Sequence, residues 1–170
     1  MPELISPNNL IKSYNQGDKF LINPKFTAQA WEESYARLGE MLAEIDDGRM
    51  LMVVGLPSSG KTTFIENHSE ELEDYDVIFD GGFPSKIGRS AVTNIAKGAG
   101  WEVDALYLDT PYNVCRNRNH RNANGQRIPF EAFKLVARSF SEPKSIEGFN
   151  SIRRVSGTSS RQSAVGLEAG

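Results

Sequence analysis

One short stretch of the chain combines glycines, a lysine and hydroxyl-bearing residues at a fixed spacing. It reads GLPSSGKTT, from Gly55 to Thr63, and directly follows the apolar run 50–54. The two glycines allow the backbone to turn successive N–H groups inward around an anion. The lysine after the second glycine can reach the outer phosphates of a nucleotide, and the next hydroxyl can ligate Mg²⁺. The spacing therefore predicts a loop that binds the phosphates of ATP.

We expect the whole loop to contact the nucleotide. The predicted nucleotide-binding residues are Gly55, Pro57, Ser58, Ser59, Gly60, Lys61, Thr62 and Thr63. Lys61 is also a predicted catalytic residue, and Thr62 a predicted ligand of Mg²⁺. The alternative is a Gly-Ser turn that only links a strand to a helix. The four fixed positions of the motif arise by chance in a chain of this length with odds on the order of one in a hundred.

An acid stands at the end of the second predicted strand. The sequence VIFDGGF places Asp80 after the apolar residues 77–79. Ligands of parallel sheets bind at the carboxyl ends of the strands, so Asp80 should face the same crevice as the loop. There it could hold Mg²⁺ or accept the proton of an attacking hydroxyl, and we predict it as a catalytic residue and as a metal ligand. The alternative is that Asp80 only caps a turn with the two glycines that follow it.

A basic run without acids follows the third predicted strand. It reads RNRNHRNANGQR, from Arg116 to Arg127, and contains four arginines and one histidine. Arg118 and Arg121 are three residues apart and share a face if the segment is helical. Because phosphoryl transfer needs cations that close over the γ-phosphate, we predict that both are catalytic. The segment after them contains Gly125 and is typical of a lid. A solvated surface run is the alternative interpretation.

Apolar runs and helical patterns alternate along the chain. The predicted strands are 50–54, 77–79, 103–108 and 152–155. The predicted helices are 27–46, 62–71, 90–99, 112–122 and 129–140. This alternation is typical of a parallel sheet with right-handed crossovers. We therefore predict an α/β chain with a P-loop NTPase fold, in which helices flank a parallel sheet of about four to five strands.

Composition limits the classes of protein to consider. The chain has 170 residues, a net charge of −3 and 39% hydrophobic residues, which suits one soluble domain. The negative charge gives no general attraction to nucleic acid, so the basic run indicates a site for one anionic group. No apolar run approaches the roughly 18 residues that span a bilayer, and no signal-peptide pattern is present, so we expect no membrane partner. The single cysteine, Cys115, excludes an internal disulfide, and we expect a cytoplasmic location, in the host if the protein is viral.

Four segments together resemble the polynucleotide-kinase-like branch of P-loop kinases. They are GLPSSGKTT, VIFDGGF, LDTPYNVCRNRNHRN and IPFEAFKLVARSFSEPKSIEGF, which fall within residues 51–155. Arg89 matches the arginine that the family has about ten residues after the acid. The more specific matching positions, in chain order, are Asp109, Pro111, Cys115, Arg118, Asn119, Pro129, Pro143, Glu147, Gly148 and Phe149. The resemblance implies that Lys61 and Thr62 serve the nucleotide phosphates and that Arg118 and Arg121 form the lid.

The chain departs from that family at two places. Asn122 stands where the family usually has a further arginine, and Arg121 is the nearest substitute. The phage polynucleotide kinase has a longer segment between the loop helix and the second strand, and that segment includes the aspartate that activates the acceptor hydroxyl. Here only FIENHSEELEDYD intervenes, so we take Asp80 as the best substitute and Asp76 as a weaker one.

The resemblance implies an ATP-dependent kinase that moves the γ-phosphate to a hydroxyl on DNA or a nucleotide. Because the acceptor region is shortened, we favour the hydroxymethyl group of 5-hydroxymethyluracil in phage DNA. The alternatives are a 5′-hydroxyl polynucleotide kinase, a small-molecule kinase and a nucleotide-binding ATPase without an acceptor. The expected domain boundaries are an N-terminal extension at 1–25 with a short edge strand at 19–22, a kinase domain at 26–155, and a flexible tail at 156–170.

Overall fold

The computed structural model describes residues 1–15, 23–122, 127–158 and 164–169, and for the last range only the backbone. The strands are β1 (Glu3–Ile5), β2 (Arg49–Val54), β3 (Val77–Gly82), β4 (Glu102–Leu108), β5 (Ser151–Val155) and β6 (Ala164–Ala169). The helices are α1 (Pro7–Tyr14), α2 (Pro24–Glu44), α3 (Lys61–Asn67), α4 (Lys86–Gly98), α5 (Tyr112–Arg121) and α6 (Phe130–Ser139). Short 3-10 helices lie at Glu70–Leu72 and Ser145–Glu147.

All six strands form one sheet in the order β1-β3-β2-β4-β5-β6. The first five are parallel to their neighbours, and β6 pairs antiparallel with β5. The prediction of an α/β chain with a parallel sheet flanked by helices is confirmed. The chain leaves β2 for β3 on one side and returns to β4 on the other, which opens a crevice beyond the carboxyl end of β2.

The first fifteen residues, where the sequence predicts only an N-terminal extension, contain a strand of the sheet and the helix that follows it. β1 adds to the edge of β3, with Leu4 beside Ile78. Ser6 caps α1 by accepting a hydrogen bond from the backbone N–H of Asn9, and Pro7 occupies the first turn. A three-residue strand is too short to show a period of two. The strand expected at 19–22 lies outside the described residues.

Two hydrophobic clusters cover the two faces of the sheet. The larger cluster joins β-strand residues to α2 through Leu38 and Met41 and to α4 through Val92 and Ala96. Partly buried residues of α2 and of its C-terminal cap pack against it, as their spacing predicts; they are Trp31, Tyr35, Leu42 and the cap residue Ile45. The other cluster lies under α3, where Phe64 is fully buried. Both faces are therefore covered, as parallel sheets require.

A buried ion pair connects α4 to the turn that precedes β5. The Arg89 guanidinium is 1% exposed and lies 2.8 Å from a carboxylate oxygen of Glu147. It also donates to the carbonyl oxygens of Phe83 and Ser141, at 2.9 and 2.8 Å. Arg89 and Glu147, which both match the family pattern, therefore stabilise the fold. A buried guanidinium requires this degree of pairing.

No helix in the described part of the chain is long and apolar enough to cross a membrane.

Candidate functional site

The conformation of the loop between β2 and α3 restricts which residue types fit at several of its positions. Gly55 is buried at the end of β2, and an added Cβ there would lie 2.6 Å from the Ser59 Oγ and 3.2 Å from the Leu108 Cβ. Gly60 has φ 102° at the N-terminal cap of α3, and Ser58 has φ 61°. These left-handed conformations favour glycine and strain a serine. The local geometry therefore explains why glycine occupies both of these positions of the motif.

Side chains from three parts of the chain hold this loop through its carbonyl groups. The Lys61 ammonium donates to the carbonyls of Gly55 and Leu56, at 3.1 and 2.8 Å. The Thr110 hydroxyl donates to the Ser59 carbonyl at 2.7 Å. Arg118 donates to the Ser58 carbonyl at 3.5 Å and to the carbonyl of Gly157. The loop conformation thus depends on the ends of β4 and β5 as well as on its own sequence.

Gly157, which follows β5, approaches the loop closely. A Cβ at this position would overlap the Thr110 Oγ1 and the Ser59 carbonyl oxygen. Only a residue without a side chain fits here. Thr110 and Gly157 are residues that the sequence analysis missed. No local pattern marks them, because they contact the loop across about fifty and about one hundred positions of the chain.

Asp80 lies at an irregularity in β3, directly beside the loop. Val53 pairs with Asp80 and Val54 with Gly82, so Gly81 is an extra residue in the ladder. Such bulges redirect neighbouring side chains. Asp80 is 9% exposed, and its Oδ1 has no hydrogen-bond partner among the residues that the structure describes. A buried carboxylate oxygen without a partner is unusual and points to a ligand or a reaction at this position.

Burial shifts the pKa values of the two buried charged groups of the site in opposite directions. It raises the pKa of the Asp80 carboxyl, and the positive charges of Lys61 and Lys12 partly oppose that shift. It lowers the pKa of the Lys61 ammonium, and the negative charge of Asp80 partly opposes this one. Each group therefore stabilises the charged form of the other, and an anion bound beside Lys61 would further stabilise the charged form of the lysine.

A cavity of about 630 Å³ brings most of the predicted residues together. Of the predicted site residues, those that line it are Pro57, Ser58, Gly60, Lys61, Thr62, Thr63, Asp80, Arg118 and Arg121. Gly55 and Ser59 are buried within the loop and do not line the cavity. The cavity also contains residues that the sequence did not mark as part of the site, from α1 and its N-terminal cap and from the turn after β5. These include Ser6, Asn8, Asn9, Lys12 and Gly157.

The two predicted arginines have different surroundings. Arg118 is partly buried and contacts the loop, whereas Arg121 is exposed at the end of α5. Asn122, which stands at the position of the missing arginine, lines the same cavity as Arg121. Asn119 is buried and clamps the segment after α5 by exchanging hydrogen bonds with the backbone of Ile128. The lid predicted around Gly125 lies largely outside the described residues, since 123–126 are not among them.

The residues present fit a magnesium ion that takes most of its ligands from phosphates and water. Thr62 and Asp80 both line the cavity and offer a hydroxyl and a carboxylate oxygen. The described residues contain no cluster of three or more His, Cys, Asp or Glu side chains that could hold a metal alone. Mg²⁺ at nucleotide sites typically uses one or two protein oxygens together with phosphate oxygens. This donor set therefore suits Mg²⁺ bound together with a nucleotide.

Comparison with protein-family models gives no match, and comparison with curated proteins gives no significantly similar sequence.

Proposed function

We propose that the chain is a kinase of the P-loop NTPase fold that uses ATP and Mg²⁺ to phosphorylate a hydroxyl on DNA or a nucleotide. The observation that carries this proposal is the convergence of the loop at 55–63, Asp80 and two arginines on one cavity. This cavity lies at the carboxyl edge of a parallel sheet, where such sheets bind ligands. Lys61, Arg118 and Arg121 place three cationic side chains in this lining against one carboxylate, a balance that favours a triphosphate.

The loop and Lys61 bind the donor in this proposal. Mg²⁺-bound ATP supplies the phosphoryl group, and the metal neutralises part of the phosphate charge. Lys61 exchanges its contacts with the loop carbonyls for phosphate oxygens, which strengthens its charged form. The Thr62 hydroxyl serves as the protein ligand of the metal. Arg118 and Arg121 stabilise the charge that develops on the transferred group.

Asp80 acts on the acceptor in this proposal. The acceptor oxygen bonds to phosphorus while the bond to the leaving oxygen of ADP breaks, and the hydroxyl proton passes to a carboxylate oxygen of Asp80. Because burial raises the pKa of this carboxyl, Asp80 is a stronger base than an exposed aspartate. A direct contact of Asp80 with Mg²⁺ is the alternative role, and the two roles differ in their dependence on the metal concentration.

The test is phosphate transfer from γ-labelled ATP in the presence of Mg²⁺. The acceptors are DNA that contains 5-hydroxymethyluracil, which we favour, and unmodified DNA with a 5′-hydroxyl end. We expect labelled DNA, and we expect Lys61→Ala to reduce transfer at least about a hundredfold, because the lysine stabilises transition-state charge. Lys25→Ala is the matched control, since Lys25 is exposed and does not line the cavity. Absence of label in every DNA and nucleotide acceptor contradicts the proposal.

A nucleotide hydrolase is the second candidate, and one observation favours it. Only residues 68–76 connect α3 to β3, and none of them lines the cavity, so this connection supplies no group to an acceptor. A hydrolase would release the label from ATP as free phosphate at the same rate with and without DNA. A kinase would instead transfer it to the acceptor.

A further inference from the structure

The N-terminal helix α1 forms one wall of the site. Asn9 and Lys12 line the cavity that contains the loop, and they also line an adjoining cavity of about 520 Å³ between α1 and α3. Thr62 and Asp80 line both cavities as well. Asp80 therefore lies where the two spaces meet, so that a molecule between α1 and α3 would reach its carboxylate from the side opposite the arginines.

The strand order explains this arrangement. α1 follows β1, which is next to β3, whereas α5 follows β4, on the other side of β2. The loop after β2 thus lies between the helix that carries Arg118 and Arg121 and the helix that carries Lys12. A nucleotide held by the loop and the arginines leaves the α1 side, next to Asp80, for a second molecule.

The α1 side of this space is polar and carries a cation. Asn8, Asn9 and Ser13 are exposed on α1, and Lys12 is partly buried beside them. Lys12 is close enough to Asp80 to affect it electrostatically, yet it forms no ion pair with any residue in the described ranges. The unpartnered Oδ1 of Asp80 lies buried next to this space. The lining of the groove also contains the Glu66 carboxylate of α3. On the α1 side, Lys12 and the Asn9 amide suit a phosphate group better than an apolar ligand.

We propose that the groove between α1 and α3 binds the acceptor, and that Lys12 and Asn9 hold a phosphate group of the molecule whose hydroxyl faces Asp80. This inference rests on the proposed kinase function and specifies its substrate class. The acceptor is a phosphate ester that carries a hydroxyl, such as a nucleoside monophosphate or a DNA strand, and not an uncharged alcohol. The N-terminal segment thus supplies the acceptor contacts that the short connection between α3 and β3 does not.

The experiment measures binding first, so that it does not depend on catalysis. A fluorescein-labelled single-stranded oligonucleotide is titrated with protein in the presence of ADP and Mg²⁺, and anisotropy is followed at several salt concentrations. For Lys12→Ala we expect about tenfold weaker binding and a salt dependence reduced by about one phosphate contact. Asn9→Ala should weaken binding less, because a neutral hydrogen bond is weaker than a charge-assisted one. Lys25→Ala should behave as the wild type, and the affinity for fluorescent ADP and the melting temperature should not change in any of these variants.

Competition against the labelled oligonucleotide distinguishes the possible sources of the phosphate. An unlabelled oligonucleotide, a nucleoside 3′-monophosphate and the free nucleoside are compared with wild type and with Lys12→Ala. We expect the two phosphate-bearing competitors to lose affinity in the variant and the nucleoside to compete weakly with both proteins. Equal competition by the nucleoside and the monophosphate overturns the proposal, as does unchanged binding or an unchanged salt dependence in Lys12→Ala.

Transfer from labelled ATP separates this proposal from the kinase proposal. Lys12→Ala should raise the KM for the acceptor and leave the KM for ATP unchanged. If the oligonucleotide binds through Lys12 while no acceptor is labelled, the groove is assigned correctly and the kinase function is wrong. If acceptors are labelled and Lys12→Ala leaves the acceptor KM unchanged, the kinase function is correct and the groove is not the acceptor site.

Discussion

Two buried groups of opposite charge lie at the base of the cavity, and their hydrogen bonding differs. Lys61 donates to two loop carbonyls, whereas the Oδ1 of Asp80 has no partner in the described part of the chain. A buried acceptor without a partner costs roughly 1–3 kcal/mol of stability. An aspartate that served only as a turn cap would gain nothing from this position. The energetic cost therefore favours a functional role for Asp80.

The first prediction concerns Asp80→Asn, which keeps the shape of the side chain and removes its charge and its basicity. We expect the rate of phosphate transfer to fall by about 10²–10⁴, the range typical of a lost general base. Affinity for ATP should change little, because the proposed function assigns the phosphates to the loop and not to Asp80. The melting temperature should stay the same or rise, since burial disfavours the charged carboxylate. Kinetics, nucleotide titration and thermal unfolding measure these three quantities.

Asp76→Asn is the matched control for that prediction. Asp76 precedes the other end of β3, where its carboxylate accepts a hydrogen bond from the backbone N–H of Arg49 at 2.9 Å. An asparagine can accept the same bond, so transfer should continue at the wild-type rate. If high Mg²⁺ restores the transfer rate of Asp80→Asn, Asp80 is a metal ligand. If Asp80→Asn transfers phosphate at the wild-type rate without extra Mg²⁺, Asp80 serves only as a turn cap.

At the scale of elements, the carbonyl groups of the loop are held by segments that are distant in sequence. Thr110 follows β4, Arg118 lies on α5, and Gly157 follows β5 and accepts a hydrogen bond from Arg118. Several other residues that match the family pattern stabilise these elements and do not line the cavity. Asp109 pairs with Arg154 at 2.6 Å, and Arg89 pairs with Glu147. The ends of β4 and β5 therefore determine the loop conformation together with α5.

The second prediction concerns Gly157→Ala. The added methyl group would overlap Thr110 and the Ser59 carbonyl, so the loop or the end of β5 must shift. We expect ATP affinity to fall by roughly tenfold to a hundredfold, because displacement of binding groups by about 1 Å has effects of that size. Titration with a fluorescent ATP analogue measures the change.

Gly39→Ala provides the control, since it adds the same methyl group in the middle of α2, where no atom lies within 4 Å of the new position. It should leave ATP affinity unchanged and raise stability by about 0.5–1 kcal/mol, as expected for glycine replaced in a helix. Equal ATP affinity in both variants would show that Gly157 does not position the loop.

At the scale of the whole molecule, the N-terminal segment is part of the sheet and of the cavity wall. Ile5 and Ile11 are 4% and 3% exposed, so β1 and α1 both bury an isoleucine. β1 also covers one edge of β3, which would otherwise present unpaired backbone groups. The site and the stability of the fold therefore both depend on residues that precede the loop by about fifty positions.

The third prediction follows from that burial. Ile11→Ala should lower the free energy of unfolding by about 2–5 kcal/mol, as is typical when a large buried aliphatic side chain is truncated. Ile87→Ala is the matched control, because Ile87 is 84% exposed on α4 and should change stability by less than about 0.5 kcal/mol. Urea denaturation measures both. Equal stabilities would mean that α1 is not packed against the rest of the molecule.

The sequence by itself predicted those features that depend on neighbouring residues. The loop at 55–63 is contiguous, so its glycines, lysine and hydroxyls can be recognised without the fold. Buried strands and amphipathic helices show periods that appear within about ten positions, and these predicted the alternation of elements and the parallel sheet. Two predicted helix starts are late by three or four residues: α2 begins at Pro24 and not at residue 27, and α4 begins at Lys86, after the Ser85 cap, and not near residue 90. Capping by one side chain is a weaker signal than hydrophobic periodicity.

Only the tertiary structure decided which side chains share the cavity. Thr110 and Gly157 reach the loop from the ends of other strands. Asn9 and Lys12 line the cavity because β1 pairs with β3. The order of strands in a sheet results from which faces can be buried together, a property of the whole chain that no local pattern contains. Hydrogen bonding and periodicity act over short distances in sequence, whereas burial brings together residues from distant positions. The loop at 55–63 could therefore be recognised in the sequence, and the composition of its surroundings could not.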